Sequence, residues 1–69
     1  MYVIIFQNVR AVMRAEKMAT SEKLAASIIP IPEIYSSECG MAISVETNQV
    51  TQFKELLVKS GLKFEIHEL

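Results

Sequence analysis

The chain opens on Tyr2-Val3-Ile4-Ile5-Phe6, a short unbroken apolar run rich in β-branched side chains. That pattern predicts a buried central strand. Asn8 follows, and its side-chain oxygen can accept an otherwise unpaired backbone N–H at a helix start. From Val9 to about Ser21 the composition is helical. Val9, Val12, Met13 and Ala19 fall close to one stripe at helical spacing, with Glu16 at its margin. Arg10, Arg14 and Lys17 fall on another stripe, which reads as a solvated face, the alternative being a docking surface for an acidic partner. No glycine marks the end of this helix. Leu24 to Ile29 predicts a second strand. Pro30 and Pro32 hold their preceding isoleucines extended. Proline lacks an N–H, so strand pairing should lapse there.

The following loop runs to Gly40. Met41-Ala42-Ile43-Ser44-Val45-Glu46 then alternates, with Met41, Ile43 and Val45 on one face, as a half-buried strand does. Thr47 or Asn48 is the expected cap of a second helix whose apolar stripe is Val50, Phe53, Leu56 and Leu57. Gly61 sits just past its end, where a left-handed residue is commonly needed. Lys59 suits the negative end of the helix dipole. Lys63 to Glu68 alternates again, with Phe64 and Ile66 inward.

The order is β-α-β-β-α-β over a single domain, residues 1–69. Right-handed crossovers applied twice give an α+β, ferredoxin-like βαββαβ sandwich. Its four-stranded antiparallel sheet carries both helices on one face. In that topology strand 1 ends, helix 1 starts, strands 2 and 3 join and helix 2 ends at the same edge. Cys39 should therefore lie near Asn8, Val9 and Arg10, and not far from Lys59 and Gly61.

Composition narrows the functional classes. The chain has 69 residues, one cysteine, one histidine and a net charge of −1. A domain this small buries about 60% of the surface its unfolded chain exposes, so it needs a tight core or self-association. One cysteine excludes an internal disulfide, and structural zinc sites take four cysteine or histidine ligands. No metal or other cofactor is expected. The charge balance gives no general attraction to nucleic acid or anionic membrane. No apolar run approaches the ~20 residues of a membrane span. The apolar start has no basic region before it and no small-residue cleavage site, so a signal peptide is not expected. These features predict a cytoplasmic protein whose thiol stays reduced.

Cys39 is the residue with chemistry to offer. A buried cysteine is often an inert, small apolar group. Here the thiol stands in Ile29-Pro30-Ile31-Pro32-Glu33-Ile34-Tyr35-Ser36-Ser37-Glu38-Cys39-Gly40, a proline-braced, serine-rich loop. A thiolate is favoured near helix N-termini and cations. The start of helix 1 and Arg10 provide both, and Ser36 or Ser37 could open a helical turn aimed at Cys39. Gly40 can take a positive φ and would let a partner approach the sulfur. Glu33 and Glu38 oppose this, because nearby carboxylates raise a thiol's pKa. His67 lies toward the other sheet edge, so a Cys–His pair is not expected.

Phe6, Arg14-Ala15-Glu16-Lys17, Ile29-Pro30-Ile31-Pro32 and Ser36-Ser37-Glu38-Cys39-Gly40-Met41-Ala42-Ile43 together resemble the selenium/sulfur carrier-like family. These are small bacterial proteins long known as a domain of unknown function. The resemblance covers nearly the whole chain and is most specific from Ile29 to Ile43. It implies that Cys39 is the carrier thiol, Gly40 its fixed neighbour, and Pro30 and Pro32 the braces of the loop. It also implies a link to selenium metabolism. The chain departs from the family pattern at Glu33, where an arginine usually stands, and at Lys23, where a glycine usually ends helix 1.

The leading expectation is a carrier rather than a turnover enzyme. Cys39 would accept sulfur or selenium as a persulfide or perselenide from a donor protein and pass it to an acceptor protein. The alternative is a non-catalytic interaction module in which Cys39 packs. A thiol redox sensor is a weaker third reading, since the chain has no resolving cysteine. Strand 1 is apolar on both faces, and helices can cover only one. The other face should leave an exposed strip of apolar residues, rimmed by Ser44, Glu46, Lys63 and Glu65. That strip predicts a homodimer, or a complex with another protein, packed through the open sheet face.

Overall fold

The computed structural model describes residues 1–31 and 40–68. Its elements are β1 (Tyr2–Phe6), α1 (Val9–Ser21), β2 (Ala26–Pro30), β3 (Met41–Val45), a short 3-10 turn (Thr47–Gln49), α2 (Val50–Ser60) and β4 (Phe64–Glu68). The strands pair in the order β2-β3-β1-β4. Every pairing is antiparallel. Each helix therefore joins two parallel strands that have a third strand between them, the split βαβ arrangement. This is the expected ferredoxin-like fold.

Both helices pack on one face of the sheet. Ile4 and Phe6 of β1 and Ile43 and Val45 of β3 meet Ala11, Val12, Ala15 and Ala19 of α1 and Phe53 and Leu57 of α2. Burying a side chain such as Phe53 or Leu57 contributes about 1.5–3 kcal/mol each. The α2 stripe is as its periodicity predicts, with Val50 and Leu56 partly buried against the same core. The α1 stripe is not. Val12 and Ala19 are buried, but Val9 and Met13 are about half exposed, at 49% and 52%. The buried face is centred on Ala11, Ala15 and Ala19 instead. Methyl side chains let a helix lie close to a sheet, and the spacing of packed elements follows the side chains at the contact.

The second face of the sheet differs from the exposed strip expected of it. Val3, Ile5 and Ala42 form a second buried cluster, against which Ile29 and Ile31 pack. Their exposures are 0%, 4% and 0%. These three residues at the centre of the face are thus already out of water within one chain, while Ile29 and Ile31 are half-buried beside them. Ser44 and His67 stand beside Val3, and Glu65 beside Ile5.

The helix ends show local chemistry directly. Asn8 caps α1, its Oδ1 accepting from the Ala11 N–H at 2.9 Å. At the other end Lys23 adopts a left-handed φ of 58°. The Lys23 N–H then bonds the Thr20 carbonyl at 3.1 Å and the Leu24 N–H bonds the Ala19 carbonyl at 2.8 Å. This pair of bonds is a Schellman motif, with Leu24 and Ala19 supplying its usual apolar contact. Leu24 therefore belongs to the helix stop, and β2 starts two residues later than the β-pattern suggests. The Ala25 N–H is taken by Gln49 Oε1 at 2.6 Å. Neither Thr47 nor Asn48 caps α2. A 3-10 turn leads into it, and Gln49 occupies the cap position with no side-chain cap bond. Gly61 ends α2 at φ 80°, as expected.

Pairing does not lapse at Pro30. Pro30 faces Met41 in the β2–β3 register, and the Ile31 N–H donates to the Gly40 carbonyl at 3.1 Å. In an antiparallel pair the hydrogen-bonded positions alternate. With Ile31–Gly40 a bonded pair, Pro30 falls on the intervening position, where its nitrogen faces away from β3. β2 is an edge strand, so no ladder bond is lost.

Candidate functional site

The topology gathers the described candidates Asn8, Arg10, Pro30 and Gly40 at one edge of the sheet. Phe6 faces Phe64 across β1 and β4. Ile5 faces Ala42 across β1 and β3. The end of β1, the starts of β3 and β4, and the end of β2 therefore lie at one level. The start of α1 and the end of α2 come to the same edge through the two-residue link Gln7-Asn8 and the three-residue link Gly61-Leu62-Lys63.

Gly40 stands at this edge immediately before β3. Its φ of +68° lies in the left-handed region, and a Cβ built on it would meet nothing within 4 Å. The glycine is required by backbone conformation and not by crowding, and the space beside it is open. The Ile31–Gly40 bond closes the base of the segment between β2 and β3. Pro30 is exposed at the end of β2. The expectations for Pro32, Glu33, Ser36, Ser37, Glu38 and Cys39, including exposure of the thiol and its distance from α1, lie outside the described residues.

Asn8 and Arg10 are where the sequence places them. Asn8 Oδ1 is committed to the cap of α1, so its role at the edge is to fix the direction of that helix. Arg10 is exposed in the first turn. No acidic residue occupies that turn. Arg10, Arg14 and Lys63 line an open cleft of about 320 Å³ between the start of α1 and the link after α2, together with Asn8, Gly61 and Leu62. The sequence reading missed Lys63 here and placed it at the rim of the open sheet face. The link position after Gly61 and the shared edge were the signals that could have found it. His67 faces Val3 and lies three positions along β4 from Phe64, about 10 Å at strand rise. It is not part of this edge.

Among the described residues, no group of three His, Cys, Asp or Glu side chains could hold a metal ion. No helix among them is long and apolar enough to cross a membrane. The family model described as "Putative Se/S carrier protein-like" matches residues 1–68. No curated protein and no solved structure matches the chain significantly.

Proposed function

The chain belongs to the Se/S carrier protein-like family, and from that premise we propose that Cys39 carries sulfur or selenium between proteins. In the proposed cycle the Cys39 thiolate attacks the outer sulfur of a persulfide on a donor protein. A bond forms between Cys39 Sγ and that sulfur. The donor's S–S bond breaks and its electron pair leaves on the donor thiolate. An acceptor thiolate then attacks the outer sulfur of the Cys39 persulfide, and Cys39 departs as thiolate. No net oxidant or reductant is consumed. A perselenide moves by the same steps.

The observation that carries this reading is the family match, which spans Cys39 and Gly40. The left-handed Gly40 and the open space beside it are consistent with a partner approaching there. Arg10 and the start of α1 at the same edge favour a thiolate, while Glu33 and Glu38 oppose it. Pro30, Pro32, Ser36 and Ser37 would shape the loop. The chain would work in the cytoplasm, where donor and carrier thiols stay reduced. A homodimer through the open sheet face loses its motive, because Val3, Ile5 and Ala42 are already buried.

Incubation with a cysteine desulfurase and cysteine, followed by mass spectrometry, tests the carrier. The expected result is a gain of one sulfur atom on Cys39. A thiol reductant should remove it, and the Cys39→Ser variant should not acquire it. A wild-type chain that gains nothing would favour the interaction module with a packing cysteine.

A further inference from the structure

The cleft beside α1 carries a charge opposite to that of the whole chain. The net charge is −1, yet Arg10, Arg14 and Lys63 line the cleft and no carboxylate does among the described residues. The cations come from two elements far apart in sequence. All three are exposed, and none makes an ion pair among the described residues. Arg10 also sits in the first turn of α1, the positive end of the helix dipole. A cation there is locally unfavourable, and nothing acidic in that turn offsets it. The floor is apolar in part, with Ala11 buried and Leu62 half-buried. Surfaces that pair arginines with an apolar floor suit protein contacts.

We propose that this cleft docks an acidic segment of a partner protein. A compact anion fits less well. The three cations are exposed and not held by neighbours, so no rigid cage surrounds a single charge. Spread over two elements, they match carboxylates spaced along an extended chain. Complementary charge of this kind steers encounter and sets orientation. The proposal deepens the carrier reading, since the cleft shares a sheet edge with Gly40, the sequence neighbour of Cys39, and would dock a donor or acceptor at that edge. Its test is binding alone, so it can fail while sulfur loading succeeds, or the reverse.

The probe is a blocked hexaglutamate peptide titrated into the 15N-labelled full chain and followed by NMR. The backbone amides of Asn8, Arg10, Gly61 and Lys63 should shift together, with affinity falling as salt rises. The Arg10→Glu/Lys63→Glu variant should bind about tenfold more weakly or worse, as expected for two reversed surface charges. The Lys23→Glu/Lys54→Glu variant has the same net charge with the cleft intact, and should bind as wild type does. Equal weakening in both variants would overturn the proposal by showing a nonspecific charge effect. Shifts spread over all basic positions would do the same. Inorganic phosphate moving the same amides at equal concentration would replace the acidic segment with a small anion. Spectra of both variants check that they fold, and a single Lys63→Gln variant offers a milder arm.

Discussion

The Ile31 N–H donates to the Gly40 carbonyl at 3.1 Å, one register step beyond the Pro30–Met41 pair. That bond extends the β2–β3 ladder past a proline and ties together the described ends of the connection between β2 and β3. Gly40 makes the return possible through its left-handed φ of +68°. Replacing it with alanine introduces no clash, so the cost is that of the backbone alone. Gly40→Ala should therefore lower stability by about 1–2 kcal/mol, read as an earlier midpoint in urea at unchanged slope. A midpoint equal to wild type would mean that the turn readily takes another conformation.

Lys23 offers the opposite experiment. It holds a left-handed φ of 58° at the end of α1, where glycine would carry no Cβ penalty. Lys23→Gly should stabilise the fold by about 0.5–1 kcal/mol, the left-handed cost relieved less the extra entropy of glycine. In a domain of this size that corresponds to a rise in Tm of roughly 2–8 °C. Thermal unfolding followed by circular dichroism measures it directly.

Asn8→Ala removes the acceptor that holds the Ala11 N–H at 2.9 Å. The expected loss is about 1 kcal/mol, and Asn8→Asp or Asn8→Ser should restore most of it. A full loss in all three variants would point instead to contacts of the amide nitrogen. Because the cap sets the first turn bearing Arg10, the same series links helix stability to the cleft.

The second sheet face predicts a monomer. Val3 and Ile5 are 0% and 4% exposed within one chain, so little apolar surface remains there to drive pairing. Sedimentation at micromolar concentration should give one species at the monomer mass. Ile5→Glu should unfold the chain, since it places a charge in a buried cluster. A folded Ile5→Glu monomer derived from a wild-type dimer would restore the interface reading.

Phe53 is fully buried between α2 and the sheet. Phe53→Ala should cost about 3–5 kcal/mol, comparable with the whole stability of a domain this small at 0.05–0.15 kcal/mol per residue. Loss of the cooperative thermal transition is the expected outcome, and retention of a near-native Tm would contradict the packing described.

Much of this protein was legible in its sequence because the signals were local. The β-branched run of β1, the Asn8 cap, the α2 stripe and Gly61 each express the geometry of a few neighbouring residues. Element order and the handedness of crossovers then led to the split βαβ sheet and to the shared edge. Other features are properties of the packed chain. Alanines rather than Val9 and Met13 face the sheet, because closeness of approach matters there more than side-chain hydrophobicity. Val3 and Ile5 are buried although α1 and α2 both lie on the opposite face. Pro30 stays in the ladder because register puts its nitrogen outward. Lys23 goes left-handed because Leu24 is drawn into the core. Lys63 joins Arg10 and Arg14 across about fifty residues of sequence, a juxtaposition that periodicity does not encode and that only the closing of the two βαβ units creates.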